Sequence, residues 1–307
     1  MKTEWKNEQL ERVHNGTAIF KYIPNEIGNI LYCDSSIPKE EPLTESQAKK
    51  KKITSILISI CGLALIWGFL YSHYIWASIL SIILLLACHI IFDTSFNGKD
   101  YFAGENGYAI VEFKGNRNNI TNKKIILFKD LSYLFSGEVI QRKNNYYYNT
   151  EFFFYFYYKP ENDIFQKADS VTGNYCDKTP KDPMNPSGSS QEYQLMKVVE
   201  KQWTLFFLNS HKEDDEVNFA IWPDKEDTIY ANVIKIGHDY IEIEGTKYNK
   251  SNTKKIYYKN GSLVIEHINY KTKWFGFKHE GNKNSIPLLN VGNSQAFLML
   301  FENFYKT

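Results

Sequence analysis

Between Lys52 and Asp93 the chain runs for forty residues without a single Asp, Glu, Lys or Arg. An apolar run of that length must be buried, either in a protein core or in lipid. It divides around Ser72, His73 and Tyr74. The flanking stretches, 53–71 and 75–92, would each rise roughly 27 to 29 Å as helices at about 1.5 Å per residue, against a hydrocarbon core of about 30 Å. Leu, Ile and Phe fill ten positions of the first stretch and eleven of the second, enough to outweigh the scattered serines on an insertion scale. The sequence therefore predicts a two-helix transmembrane hairpin.

The flanks set its orientation. Lys49, Lys50, Lys51 and Lys52 stand directly before the first stretch, and the short loop between the two stretches carries no Lys or Arg. By the positive-inside rule both termini are expected in the cytoplasm, with the chain multi-pass in the inner (cytoplasmic) membrane. Trp67, Tyr71, Tyr74 and Trp76 cluster round the loop, where amphipathic rings favour the opposite membrane interface. Ser55 with Ser59, and Ala77 with Ser81, are small residues four apart that would let two helices approach closely. The basic run also suits contact with anionic lipid headgroups.

The rest of the chain is ordinary in polarity. With 36 Lys and Arg against 35 Asp and Glu, the net charge is +1, which argues against a general nucleic-acid binder, since that activity needs an excess of basic residues on one surface. Cys33, Cys61, Cys88 and Cys176 give neither a disulfide framework nor a metal-ligand spacing. No nucleophile, base and orienting group stand in a recognisable pattern, and no Gly-rich phosphate loop opens a helix. Gly104-Glu-Asn-Gly107 reads as a turn before a strand. The acidic run Glu213 to Glu216 reads as a solvated linker. The expectation is a non-enzymatic protein with no cofactor and no metal.

Four segments follow from the pattern. Residues 1–48 form an N-terminal cytoplasmic segment, with a strand pair over 17–23 and 29–33 and a tether containing Pro38 and Pro42. Such a pair is too small to be stable alone and should dock on the later sheet. Residues 49–96 hold the membrane hairpin. In 97–212, short strands are read over 108–113, 124–128, 138–141, 146–148 and 152–158, then a Pro-rich loop over 171–190. A helix capped by Ser189 and Glu192 follows, with Met196, Val199, Trp203 and Phe206 on one face. The seven consecutive aromatics of 152–158 read either as a central strand buried on both faces or as an aromatic groove for an apolar ligand or lipid. In 213–307 strands are read over 219–222, 228–236, 240–244, 255–259, 263–269 and 274–278. Asn260-Gly261 makes a tight turn, and a helix after Asn293 carries Phe297, Leu300, Phe301 and Phe304. Both β modules share one order, strands and then a closing helix, and 121–129 lines up with 253–259 while Tyr108 lines up with Tyr240, which suggests duplication.

A compact antiparallel sheet of about seven strands closed by one amphipathic helix resembles the pleckstrin-homology-like fold. The best-covered stretch is 240–305, with Lys254-Lys-Ile-Tyr-Tyr-Lys-Asn-Gly-Ser-Leu-Val-Ile265 and the helix from Ser294. The resemblance implies a membrane-anchored α+β chain: a transmembrane helical hairpin followed by two antiparallel β modules, each closed by a C-terminal helix. The basic signature for phosphoinositides is missing from the matched residues, so headgroup recognition does not carry over from the family.

Lys247, Lys250, Lys254, Lys255, Tyr257 and Lys259 remain, with Tyr248 and Tyr258 interleaved, as a possible ligand or headgroup face on the second module. The alternative is a solvated sheet surface. The leading functional expectation is a docking or assembly platform whose partners are the lipid bilayer and either another protein or further copies of the same chain. The rival is a membrane effector whose β module senses a small ligand, a nucleotide being one candidate, and whose helices cluster to permeabilise the bilayer.

Overall fold

The computed structural model describes residues 10–16, 18–37, 45–92, 97–144, 146–158, 166–175, 191–222, 233–273 and 278–306. The tether prolines, Cys176, Ser189, residues 228–232 and Trp274 lie outside these. The fold is α+β with antiparallel sheets. The chain groups into two compact units, one of Met1–Asn25, Tyr32–Phe102 and Ala109–Ile125, the other of Glu26–Leu31, Ala103–Tyr108 and Ile126–Thr307. The junction expected at 212/213 falls inside the second unit.

A short helix over 10–14 (α1) leads to strand β1 (Ile30–Ser35), helices α2 (Glu45–Leu70) and α3 (Tyr74–Phe92), and strands β2 (Asn97–Gly104), β3 (Gly107–Lys114) and β4 (Ile120–Leu127). Strands β1 to β4 make one sheet in that order. The two helices are thus an insertion between neighbouring strands rather than a leader to the β modules. This changes the reading of 17–33: residues 18–23 have no regular structure, and β1 finds its partner on the far side of the helices. A strand needs a neighbour for its backbone groups, and β2, overlooked in the sequence, supplies one with Tyr101, Phe102 and Ala103 buried.

A buried polar cluster staples the chain just before α2 to the chain just after α3. Ser35 Oγ donates to Asp100 Oδ1 at 2.5 Å, and Arg117 Nε donates to Asp100 Oδ2 at 3.2 Å. Arg117 Nη2 donates to Ser35 Oγ at 2.9 Å and also to the Ile37 carbonyl. Ser36 N donates to the Lys99 carbonyl at 2.9 Å, and Lys99 N donates back to Ser36 Oγ at 2.8 Å.

In the second unit, β5 (Leu131–Lys143), β6 (Tyr146–Tyr158) and β7 (Lys167–Tyr175) form a meander, followed by helix α4 (Gln191–Ser210). The three short strands expected over 138–158 are two long ones, paired from Leu131↔Tyr158 to Lys143↔Tyr146. Strand β7 replaces the start of the expected loop. Its Lys-Ala-Asp-Ser-Val-Thr-Gly-Asn-Tyr sequence has little strand propensity, and pairing with β6 decides its state. Asp169 anchors it from within, accepting from Tyr108 Oη at 2.5 Å and from Ser170 N at 2.6 Å.

The aromatic strand is central, between β5 and β7. Phe152, Phe154 and Phe156 are buried, as the period of two requires. On its other face, Phe153 and Tyr155 are half-buried, with Trp222 packed edge-on to Tyr155 at 5.1 Å and to Phe135 at 4.9 Å between ring centres. One face is therefore core, and the other is an aromatic ledge in which Tyr155 and Trp222 pack against a smaller buried cluster of Phe135, Tyr157 and Ala220. The inner face of α4 is Leu195, Met196, Val199, Trp203 and Phe207, with Phe206 half-buried.

The chain continues with β8 (Glu216–Ala220), β9 (Val233–Gly237), β10 (Ile241–Ile243) and β11 (Thr246–Tyr248) in one sheet. Strands β12 (Thr253–Lys259), β13 (Ser262–His267) and β16 (Lys283–Pro287) form a second sheet, and β14 (Lys271–Lys273) pairs with β15 (Lys278–Glu280). Asn260 and Gly261 both take left-handed φ, 51° and 74°, between β12 and β13, the geometry of the predicted two-residue turn. Helix α5 (Ser294–Lys306) closes the chain with Ala296, Phe297 and Phe301 buried. The order four strands, three strands, helix therefore occurs twice along the chain, β14 and β15 being additional. Tyr108 lies in β3, the third strand of its series, and Tyr240 directly precedes β10, the third strand of the other. The match of 121–129 to 253–259, by contrast, sets a fourth strand against a fifth.

Candidate functional site

Helices α2 and α3 are joined by Tyr71, Ser72 and His73, and small residues lie on their covered sides. A Cβ on Gly62 would fall 2.5 Å from Leu84 Cδ2, Ala77 is fully buried, and Cys88 is buried. Ser55, Ser59, Ile66 and Leu70 on α2, with Ser81 and Leu84 on α3, are partly covered, and together these positions trace a seam at spacings of three and four. Ser81 Oγ satisfies itself on the Ala77 carbonyl at 2.7 Å. Apart from Ile66, Leu70 and Leu84, many large apolar residues point away from the seam: Ile60, Leu65, Ile75 and Ile82 are about 60 % exposed and Phe69 is 83 % exposed. Among the described residues, Lys49–Leu70 is the one helix long and apolar enough to cross a membrane, while the apolar stretch of α3 is the shorter Tyr74–Cys88. Lys49, Lys50, Lys51 and Lys52 are exposed on the first turns of α2. Trp67, Tyr71, Tyr74 and Trp76 are exposed at the opposite end, by the turn.

The basic face of the second unit is divided. Lys247, in the middle of β11, is 3.7 Å from Glu242 and 4.2 Å from the centre of the Tyr240 ring, and Lys250 is exposed in the following turn. Lys254, Lys255, Tyr257 and Lys259 belong to β12, on the other sheet. Lys254 Nζ donates to the Tyr270 carbonyl at 2.9 Å, and Lys255 Nζ lies 4.8 Å over the Tyr257 ring. Three residues overlooked in the sequence complete this patch: Glu266, Tyr270 and Lys283. Tyr257 Oη donates to Glu266 Oε1 at 3.0 Å, while Lys283 Nζ contacts Tyr257 Oη at 3.0 Å and Glu266 Oε1 at 3.3 Å. Burial works against ionisation of Glu266, but Tyr257 and Lys283 outweigh it and hold the carboxyl below its usual range; Tyr257 in turn raises Lys283. The ionised Glu266 offsets part of the positive charge that the sequence suggested. Lys283 was hidden because Lys-Asn-Ser-Ile-Pro lacks strand alternation.

Sequence reasoning also missed a cleft of about 540 Å³ in the second unit, walled by Tyr133, Trp203, Phe206 and Phe207 and edged by Lys129, His211 and Asp214. The helical stripe explains the aromatic wall. The polar edge comes from the turn that was read as linker, with His211 Nδ1 2.9 Å from the Phe207 carbonyl. Glu216, at the end of that turn, accepts from Tyr240 Oη and lies 3.6 Å from Lys235; the Tyr240 bond, with Lys235, lowers its pKa. Among the described residues no group of three His, Cys, Asp or Glu side chains gathers as a metal site. The arrangement offers an exposed apolar helix pair, a partly neutralised basic sheet face and an aromatic cleft. Compared with known proteins, the chain matches no family model and no curated protein sequence.

Proposed function

We propose that this chain is a non-enzymatic, membrane-anchored docking or assembly protein. In this reading α2 and α3 cross the cytoplasmic membrane as a hairpin, and the β-rich parts face the cytoplasm as two pleckstrin-homology-like modules that bind a protein partner or further copies of the chain. The observation that carries the reading is the helix pair: Gly62, Ala77 and the seam serines lie on the covered side together with Leu84, and a large set of apolar residues is uncovered outside. In water, so large an apolar surface would aggregate; in lipid it is solvated. The nineteen residues of α3 rise roughly 28 Å at about 1.5 Å per residue, close to the thickness of a bilayer core. The twice-repeated order of four strands, three strands and a helix supports the module reading.

A reporter fused after Ser72 should be active only outside the cytoplasm and one fused after Thr307 only inside. A chain recovered in the soluble fraction, or a C-terminal reporter active outside, would overturn the reading. Purification from native membranes should then yield stoichiometric partners or a homo-oligomer.

The aromatic cleft favours the second reading, an effector that senses a small ligand and disrupts the membrane on oligomerising. Dye leakage from liposomes containing the full chain, lost on Phe206→Ala, would select it over the platform.

A further inference from the structure

Among the described residues, strands β5 and β6 run on past the end of β7. The pairing of β6 with β7 stops at Thr150↔Tyr175, whereas its pairing with β5 continues through Gln141↔Asn149 to Lys143↔Tyr146. The end of this hairpin, 139–149, is two-stranded among the described residues. It exposes Val139 (39 %), Ile140 (58 %) and Tyr146 (79 %) beside the exposed Arg142 and Lys143. Between Val139 and Thr150 there is no Asp or Glu, so Arg142 and Lys143 are the charged residues of the tip, while Glu151, paired with Val139 and accepting from Gln141 Nε2 at 3.0 Å, stands at its base. The basic face around Tyr257 differs, because Glu266 sits among its lysines.

A two-stranded ribbon is marginal in water without a surface to cover it. Aliphatic side chains, a tyrosine and two basic groups on one projecting end match the chemistry of an anionic headgroup layer. The charges would meet phosphates, the ring would sit at the interface, and the aliphatic groups would reach the acyl boundary. We propose that the 139–149 hairpin end is a second membrane contact, docking on anionic lipid of the bilayer that holds α2 and α3. This rests on the membrane reading above and assigns the module a lipid-facing side.

The test is amide exchange on the full chain in nanodiscs of phosphatidylcholine alone and in discs that also carry phosphatidylglycerol. Slow exchange over 53–88 in both discs is the expected result of the membrane reading. Exchange over 139–149 should slow by roughly ten- to thirtyfold only in the anionic discs, the factor that two basic side chains near such a surface provide. The Arg142→Glu, Lys143→Glu double variant should abolish that slowing while exchange in α4 and β7 stays unchanged, which shows the fold intact. Ile140→Ser with Tyr146→Ser should weaken it without changing charge. Equal exchange over 139–149 in the two discs, with 53–88 still protected, would overturn the lipid contact and leave the membrane reading standing. Protection that is independent of lipid charge and grows with protein concentration would assign this end to a second copy of the chain instead. Fast exchange over 53–88 would overturn both.

Discussion

Arg117 has side-chain exposure of 2 % and its partner Asp100 of 5 %. An ion pair that deep adds little net stability relative to an apolar pair, but breaking it strands a charge at a cost of about 3–5 kcal/mol. Burial holds the Asp100 carboxyl above its usual range even though Ser35 and Arg117 lower it. Arg117→Met should therefore lower the first unit's unfolding free energy by about that amount, and Arg117→Met with Asp100→Asn should recover part of the loss, measured by denaturant titration in detergent. Cys33, on β1 beside Asp34 and Asp100, is pushed by burial from 9 to about 12. A group whose folded pKa is raised contributes stability that is fully present below its unfolded pKa and is lost as pH rises through the folded one. The loss at this site should thus begin above about pH 9 and run to about pH 12, at up to about 1.4 kcal/mol per pH unit. Cys33→Ala should flatten that alkaline slope in thermal melts at stepped pH.

The elements show how one strand serves two environments. In β6 the aromatics at 152, 154 and 156 are core, whereas 153 and 155 form the ledge. Phe154→Ala should cost about 3–5 kcal/mol, the range for a large buried ring, and Phe153→Ala clearly less, read from urea midpoints at constant slope. Seven aromatics in a row gave no alternation from which to choose a face, so the sequence left open what the partners of each face decided. In the helix pair the close approach belongs to Gly62 and Leu84, which the serine and alanine spacings did not reveal. Gly62→Val should weaken the pairing of α2 with α3 and Leu84→Ala should restore it, read from the yield of cross-links between cysteines placed across the seam. A simple loss of helix propensity would not be rescued by Leu84→Ala.

Across the molecule, Asn293 ties the second unit together. It stands at φ 58° before α5, and its Oδ1 accepts from Leu134 N at 2.8 Å and from Trp203 Nε1 at 2.8 Å. Its backbone N donates to the Leu134 carbonyl at 2.7 Å, and its Nδ2 donates to the Ser132 carbonyl at 3.1 Å. One residue thus joins β5, α4 and α5, elements that the sequence assigned to separate modules. Asn293→Ala leaves two buried donors unpaired, at about 1–3 kcal/mol each. The expected outcome is that 126–306 unfolds in one transition in the parent chain and in two in the variant, with α4 and α5 then losing exchange protection at different denaturant concentrations. Asn293→Asp keeps the acceptor and should preserve one transition.

The amino-acid sequence alone determined the features that local chemistry dictates. A forty-residue charge-free block must be two apolar helices broken around 72–74, one residue beyond the turn found at 71–73, Asn260-Gly261 must turn where two left-handed residues are needed, and the stripes of α4 and α5 fix their inner faces. Tertiary structure decided what depends on partners far away in sequence. It set β1 beside β2 across sixty-one intervening residues, made a strand of 167–175 from residues that prefer loops, and paired Lys283 with a glutamate from the neighbouring strand. The physical reason is common to all three: pairing and burial energies belong to contacts, and contacts between distant segments leave no periodic mark on either segment by itself.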